Sequence, residues 1–151
     1  MKELIINNAE EMMELGKKLA QQVCSGDVLL LDGDLGAGKT TFTKGLALGL
    51  GIKRNIKSPT FTLIREYRDG KLPLYHMDMY RLEETGAGDI GLDDYFNGDG
   101  VCVIEWSQFI DDELPSQYLI MHILKDENDF DKRYVTLEAR GDQYQKIIDN
   151  I

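Results

Sequence analysis

The chain has 151 residues, 42% of them hydrophobic, and this size and composition predict one domain, residues 1–151, around a single core. Its 17 basic and 27 acidic side chains give a net charge of −10, which argues against direct binding of RNA or DNA because nucleic-acid phosphates need a basic surface. No run approaches the roughly 18 apolar residues of a membrane-spanning helix, and the apolar segment at the N-terminus is too short for a signal peptide. The two cysteines, Cys24 and Cys102, lie in apolar contexts, so we expect buried free thiols and a cytoplasmic protein.

The first third of the chain predicts the order strand, helix, strand, helix. Lys2–Ile6 has a strand pattern, and Asn8 is placed to cap the helix that follows. We expect this helix to end at Gly26. Val28–Leu31 is a short apolar strand, and a second helix runs from Lys39 to about Leu50. This order is typical of an α/β domain with a substantially parallel sheet. The first helix has one apolar face, formed by Met12, Leu15, Leu19 and Val23.

The remainder of the chain contains further strands and at least one hairpin. Phe61–Tyr67 and Leu72–Tyr80 are rich in β-branched and aromatic residues, and the Asp-Gly pair between them predicts an antiparallel turn. Short helices are expected around Ile90–Phe96. Val101–Ile104 is a continuous apolar run, as in a central parallel strand. Tyr118–Leu124 and Tyr134–Glu138 are predicted to form a second hairpin. A short terminal helix is predicted at Tyr144–Ile151.

The most specific pattern in the chain is a phosphate-binding loop, G-x-x-x-x-G-K-[ST], with a strand before it and a helix after it. Its three glycines permit positive φ angles, so that successive N–H groups can point at phosphate oxygens. Lys39 would reach the β- and γ-phosphates of a nucleotide, and the Thr40 hydroxyl would bind Mg²⁺. The residues of the predicted loop are Gly33, Asp34, Leu35, Gly36, Ala37, Gly38, Lys39 and Thr40.

Hydrolysis would need further groups, because Mg²⁺ must be held from a second side and a water must be placed in line with the γ-phosphate. Asp78 and Glu105 each stand at or near the end of a predicted strand, where a carboxylate can meet the loop, although such an acid can also be a solvated turn residue. Ser58–Thr60 could present a hydroxyl to Mg²⁺ or the γ-phosphate as a switch, but as a pattern it favours a proline turn that starts a strand. His76 and His122 lack the Cys/His spacing of a zinc site.

Four segments together resemble one family. Gly33–Thr41 (GDLGAGKTT), Ser58–Leu63 (SPTFTL), Tyr75–Leu82 (YHMDMYRL) and Ile104–Trp106 (IEW) occur in the order and spacing of the TsaE (YjeE) family. These are small bacterial P-loop ATPases required for the threonylcarbamoyladenosine modification of tRNA. The similarity covers nearly the whole chain, and the joint presence of four motifs is far more specific than the loop alone.

The resemblance implies a three-layer α/β sandwich of the P-loop NTPase type, with a mixed, mainly parallel central sheet and antiparallel hairpins. It implies a slow ATPase, with ATP and Mg²⁺ as cofactors, that works with the TsaB–TsaD heterodimer. TsaD transfers the threonylcarbamoyl group to adenosine 37 of tRNA, and ATP binding and hydrolysis by the TsaE protein would drive the cycle of that complex. Contact with tRNA would be indirect, which agrees with the acidic charge.

The resemblance also assigns roles to individual residues and shows one departure. Many members have a second glutamate in the motif E-W-x-E, whereas this chain has Gln108 at that place. Because the amide of Gln108 cannot act as a charged ligand or base, the expected catalytic roles fall to Asp78 and Glu105. The motif residues expected to bind phosphates and Mg²⁺ are Lys39, Thr40 and Thr41, with Thr60 as a switch and with Asp78 and Glu105 serving the metal and the attacking water.

Three other functions remain open from the residues alone. A GTPase would need an N/T-K-x-D element to read guanine, and the sequence contains none. A small-molecule kinase would need an arginine-rich lid, whereas arginines are sparse here. A non-hydrolysing regulator that only senses ATP is the third. Adenine contacts could come from Asn7–Glu10 or from the last hairpin, and self-association is equally open.

Overall fold

The computed structural model describes residues 1–34, 36–56, 64–80 and 91–151. Within these ranges, seven strands form one sheet in the order β1-β7-β6-β2-β5-β4-β3. The strands are β1 (Lys2–Ile6), β2 (Val28–Gly33), β3 (Ile64–Tyr67), β4 (Leu74–Asp78), β5 (Val101–Glu105), β6 (Tyr118–Lys125) and β7 (Arg133–Arg140).

The four central strands, β6, β2, β5 and β4, are parallel to one another. β3 pairs with β4 antiparallel at one edge, and β7 and β1 extend the other edge by antiparallel pairing. The predicted mixed sheet with antiparallel hairpins is therefore confirmed. β5 is buried along its whole length and β2 is buried over Val28–Leu31, the expected pattern for parallel strands covered on both faces.

Helices cover both faces of the sheet, which gives the predicted three layers. The helices are α1 (Ala9–Ala20), α2 (Lys39–Gly49), α3 (Leu92–Phe96) and α4 (Asp142–Asp149), with a 3₁₀ helix at Ser107–Glu113. Residues of α1, α2 and α4 share one hydrophobic core with one face of the sheet. Residues of α3 and the 3₁₀ helix share a second core with the other face. None of the helices in the described ranges is long and apolar enough to cross a bilayer.

The first helix begins as predicted and ends earlier than predicted. The Asn8 side chain accepts a hydrogen bond from the N–H of Glu11, at 2.9 Å, which satisfies one of the free donors of the first turn. The helix stops at Ala20, and Gly26 lies in the later turn before β2 with φ of 87°. Val23 is buried beyond the helix end, so the apolar spacing continues past the last helical residue and made the helix look longer.

One further expectation was wrong. Cys24 is exposed because it lies in the turn after α1, whereas Cys102 is buried in β5 as expected. β1 pairs antiparallel with β7 at the edge of the sheet. Its alternating burial, in contrast to the continuous burial of β5, fits an edge position.

Glycines bring α1 and α2 into close contact. A Cβ at Gly16 would lie 2.4 Å from the Phe42 carbonyl oxygen, and a Cβ at Gly45 would lie 2.2 Å from the Met13 carbonyl oxygen. Neither position can hold a larger residue without moving a helix. This contact fixes α2, and with it the position of Lys39, the first residue of α2, against the rest of the fold.

Candidate functional site

The candidate site lies at the edge of the sheet where three parallel strands end. β2 ends at Gly33 and leads into the glycine-rich loop, while β4 ends at Asp78 and β5 at Glu105. Glu105 stands opposite Asp78 on one side and opposite Leu31 on the other. The loop and the two predicted acids, which are far apart in sequence, therefore meet at one place.

Two of the three loop glycines have the positive φ angles that the motif suggested, whereas Gly33 ends β2 without one. Gly36 and Gly38 have φ angles of 78° and 117°, values that favour glycine because it has no Cβ. The N–H of Ala37 donates to the Asp34 carbonyl at 3.0 Å, and Gly38 caps the start of α2. The N–H groups of the first turn of a helix have no partner within the helix, so this end of α2 favours an anion. Leu35, also assigned to the loop, lies outside the described residues.

Gly33 has a packing role in addition to its place in the motif. A Cβ at this position would lie 3.0 Å from the Ile123 carbonyl oxygen and 3.1 Å from the Cβ of Ala37. Both contacts are tighter than a side chain normally permits. Gly33 thus allows β6 to run directly beside the entrance of the loop.

Three buried polar side chains of the site contact one another in series. Lys39 Nζ lies 3.5 Å from Glu105 Oε1, and His76 Nε2 lies 2.6 Å from Glu105 Oε2. Lys39, Glu105 and His76 are only 7%, 5% and 0% exposed. Glu105 is therefore held between two nitrogen groups and screened from water, and its orientation is fixed by both.

The two acids of the site experience opposite shifts. Burial raises the pKa of the Glu105 carboxyl, but the hydrogen bond and charge of His76 and the charge of Lys39 lower it, and the net effect is a lowered pKa. The pKa of Asp78 is raised, and burial is the main cause. The hydrogen bond from the Tyr80 N–H lowers this pKa, whereas the nearby charge of Glu105 raises it further. Glu105 is thus the more strongly ionised of the two carboxyls.

The donor set fits a magnesium ion that is bound mainly by a nucleotide. No group of three or more His, Cys, Asp or Glu side chains that could hold a metal is found in the described ranges. Mg²⁺ in phosphate-transfer sites needs only one or two protein carboxylates, because phosphate oxygens and waters fill the other positions. Thr40 and Thr41, half-buried in the first turn of α2, and the Asp78–Glu105 pair offer oxygen ligands of this kind. Ser58–Thr60, the predicted switch, lies outside the described residues.

An aromatic cluster flanks the lysine. Lys39 Nζ lies 4.9 Å from the centre of the Trp106 ring, a distance typical of a cation–π contact. Trp106 contacts the rings of Tyr80 and Phe109, with centroids 5.1 and 6.2 Å away. Trp106 has φ of 60°, the only positive φ of a non-glycine residue among the described ones. Gln108, where the family often has glutamate, is exposed on the 3₁₀ helix.

A cleft of about 320 Å³ opens beside the loop, between the ends of β2 and β6. His122 lies in this cleft and bridges two carboxylates, with Nδ1 2.7 Å from Asp32 and Nε2 3.0 Å from Glu138. Partial burial lowers the pKa of His122, but Glu138 and Asp32 raise it more, so that the net shift is upward. The cleft adjoins Asp34 and Trp106 and has the position and the size for part of a bound ligand.

Two residues of the site were not predicted. His76 was considered only as a zinc ligand, although its position two residues before Asp78 puts both side chains on the same face of β4. Arg133 contacts the back of the loop, and nothing in the local pattern around it indicates this contact. A contact between side chains on different elements of the sheet can be predicted only when the strand order is known.

Comparison with known proteins agrees with the fold and the motifs. The family model described as "Threonylcarbamoyl adenosine biosynthesis protein TsaE" matches residues 6–135. A curated protein of Bacillus subtilis (strain 168), named tRNA threonylcarbamoyladenosine biosynthesis protein TsaE, is 51% identical over 144 residues, which are 95% of this chain and 89% of the relative. A protein of the same name from Treponema pallidum (strain Nichols) is 44% identical over 128 residues, 82% of this chain and 93% of the relative.

Solved structures give the same result. The crystal structure of Bacillus subtilis YdiB superposes with a TM-score of 0.86 and 45% sequence identity, and the match covers 98% of this chain and 91% of that chain. At this similarity the two chains share the same fold over nearly their whole length.

Proposed function

The chain belongs to the TsaE family of threonylcarbamoyl adenosine biosynthesis proteins, and on that premise we propose that it is a Mg²⁺-dependent ATPase. In this proposal it binds and hydrolyses ATP to drive the cycle of the TsaB–TsaD complex, which modifies tRNA. The acidic net charge supports an indirect role, in which the partners contact the tRNA. As a tRNA-modification protein it would work in the cytoplasm.

The observation that carries this proposal is the meeting of the loop with two carboxylates at the strand ends. Lys39 starts α2 directly after the loop, and Asp78 and Glu105 stand opposite each other on neighbouring strands. Phosphoryl transfer to water requires such an arrangement, because the protein's main tasks are to position the groups and to stabilise charge. A loop that served only to sense ATP would not need a buried carboxylate held by two nitrogen groups.

We assign the roles as follows. Lys39 leaves Glu105 to contact the β- and γ-phosphates, and Thr40 and Asp78 provide oxygen ligands for Mg²⁺, with Thr41 at the phosphates. Bound Mg²⁺ would neutralise charge that develops on the phosphate oxygens. Glu105 would share in holding the metal, orient the attacking water and accept its proton. The remaining roles are those of the loop backbone and of Thr60, which would respond to the γ-phosphate.

The test is the ATPase rate of Glu105→Gln, measured with and without the TsaB–TsaD heterodimer. Because an amide cannot accept the proton of the water or carry the charge, we expect stimulated kcat to fall by about 10²–10⁴-fold, while ATP is still bound. Glu14→Gln, at an exposed position of α1, is the matched control and should keep the wild-type rate. Full stimulated turnover in Glu105→Gln would refute the role of Glu105.

Two further measurements distinguish this proposal from its rivals. Lys39→Ala should lose nucleotide affinity and keep its fold, and a collapse of the melting temperature would instead make Lys39 a structural residue. Competition between ATP and GTP for the protein separates an ATPase from a GTPase. Equal affinity for both nucleotides would refute the preference for adenine.

A further inference from the structure

The carbonyl groups at the back of the phosphate loop are held by one side chain. Arg133 is the first residue of β7. Its Nε donates a hydrogen bond to the Ala37 carbonyl at 2.8 Å, and its Nη2 donates to the Gly36 carbonyl at 3.4 Å. The two residues that it contacts lie 97 and 96 positions earlier in the chain, so the contact joins the second hairpin to the loop.

The same guanidinium group is itself held in place by the hairpin. Nη1 donates to the carbonyl of Phe130 at 2.6 Å and to the carbonyl of Lys132 at 3.0 Å. Four carbonyl groups thus surround one planar cation whose donors have a fixed geometry. Arg133 is half-buried, so these hydrogen bonds are partly shielded from competing water.

Holding a carbonyl also orients an N–H group, because the peptide bond is planar and trans. The Ala37 carbonyl belongs to the same peptide unit as the N–H of Gly38, and the two point in opposite directions. When Arg133 holds this carbonyl on the hairpin side, the Gly38 N–H is directed to the other side of the loop. In a loop of this type that side is the cradle in which N–H groups converge on phosphate oxygens.

Without Arg133 a larger share of the ordering of the loop would fall to the ligand itself. Gly36 and Gly38 make the loop adaptable, since glycine loses more conformational freedom on ordering than any other residue. A ligand that orders the loop when it binds loses part of its binding free energy in doing so. A preformed loop avoids this loss.

We infer that Arg133 is a positioning residue for the phosphates of the nucleotide, acting through the Ala37 carbonyl and the N–H of Gly38. The inference rests on the proposed function, because it assumes that the loop binds a nucleotide. Arg133 does not touch the phosphates. It sets the direction of the Gly38 N–H, which does, and it adds a positive charge behind that group.

The experiment compares Arg133→Met and Arg133→Lys with the wild type by calorimetric titration of ATP, ADP and tripolyphosphate. Loss of charged hydrogen bonds of this kind should weaken the binding of all three ligands by about tenfold to a hundredfold in the Met variant. The Lys variant keeps the charge but has a single donor nitrogen in place of the planar guanidinium, so its affinity should lie between those of the other two proteins. Arg140→Met, on the same strand, is the matched control because Arg140 is exposed and contacts the Tyr118 ring instead. It should bind all three ligands within about twofold of the wild type.

Kinetics separate positioning from a merely structural role. We expect KM for ATP to rise by the same factor as the dissociation constant, while kcat at saturating ATP stays within about twofold, because bound ATP completes the loop. A folding defect would lower the number of binding sites per protein, whereas the inference requires the full number of sites with weaker affinity. If Arg133→Met is too unstable to purify, Arg133→Lys decides by the same criteria.

Affinity within twofold of the wild type in Arg133→Met would overturn the inference, and so would a fall in kcat with unchanged KM. If the wild type itself bound neither ATP nor tripolyphosphate, the proposed function would fail, and the two failures are therefore distinguishable.

Discussion

At the scale of single residues, the site is organised around one buried carboxylate. Glu105 is shared by Lys39 and His76, and in the proposed function Lys39 turns away from it to contact phosphates. A buried charge that loses its only partner is strongly destabilising. Since His76 would remain, Glu105 would keep a partner in both states.

This arrangement predicts the effect of changes at His76. His76→Leu removes the group that donates to Glu105 and leaves Lys39 as its partner, so it should destabilise the protein by about 2 kcal/mol, with a clear loss of kcat. His76→Gln can present its amide nitrogen near the place of Nε2 and should recover much of both properties. Thermal melting and stimulated ATPase rates of the two variants check this expectation. Wild-type turnover in His76→Leu would contradict it.

The residues of the site were predictable to different degrees. Lys39 and Thr40 follow from a local motif, whose chemistry depends on neighbours in the chain. Asp78 and Glu105 follow from strand ends, since parallel strands finish at one edge. The bond from His76 to Glu105 was not predictable, because it depends on which strands are neighbours and on their register.

At the scale of elements, the crossing of α1 and α2 determines where the loop can lie. A Gly→Ala change inside a helix usually favours the helix by up to about 1 kcal/mol. At Gly45 the backbone of Met13 occupies the place of the new methyl group, at 2.2 Å. A backbone contact of this kind can be relieved only by moving one helix away from the other.

We therefore expect Gly45→Ala to destabilise the protein by about 2 kcal/mol, because the overpacking outweighs the gain in helix propensity. For a chain of this size the melting temperature should fall by several degrees, roughly 4–8 °C. Leu48→Ala, at an exposed position of the same helix, is the control and should change stability by less than about 0.5 kcal/mol. Differential scanning calorimetry measures both, and an unchanged melting temperature in Gly45→Ala would show that the helices can separate freely.

The sequence predicted the helices and strands well where a local pattern defines them, and it predicted the end of α1 poorly. The capping residue Asn8 marked the start of α1 correctly, because the hydrogen bond involves residues three positions apart. The end of α1 was misplaced, because Val23 is buried by tertiary packing and not by the helix. The 3₁₀ helix Ser107–Glu113 was not predicted, since it follows a left-handed Trp106 that no sequence pattern announces.

At the scale of the whole molecule, the net charge of −10 sets how stability responds to pH. His122 is placed between two of the acidic side chains, Asp32 and Glu138. Its pKa is raised in the folded protein. The resulting stabilisation is complete below the ordinary histidine pKa of about 6.5 and is lost as pH rises through the higher pKa of the folded state.

His122→Asn should remove this pH dependence. The difference in free energy of unfolding between wild type and variant should be largest near pH 6 and should shrink in mildly alkaline solution. Urea unfolding at a series of pH values measures it. Glu127→Gln, an exposed carboxylate elsewhere on the second hairpin, should leave the pH dependence of the wild type intact. A constant difference across this range would show that His122 contributes by packing and not by charge.

Composition and charge could exclude whole classes of function but could not identify a partner. The acidic net charge argues against direct tRNA binding, but many proteins with other functions have a similar charge. The pathway became clear from four motifs in the right order and from the match to the TsaE family over residues 6–135. A partner is recognised by a surface, and a surface has no short linear pattern.

The exposed turn that follows α1 has a practical consequence for studying the proposed complex with partner proteins. The chain has two cysteines, of which Cys102 is fully buried with its thiol pKa raised by burial to about 12, whereas Cys24 is exposed. A maleimide dye should therefore attach to the unmodified protein at a single position. Cys24 precedes β2, at the end of that strand opposite to the phosphate loop. A fluorophore there can test the proposed binding of the partner proteins while leaving the candidate site untouched.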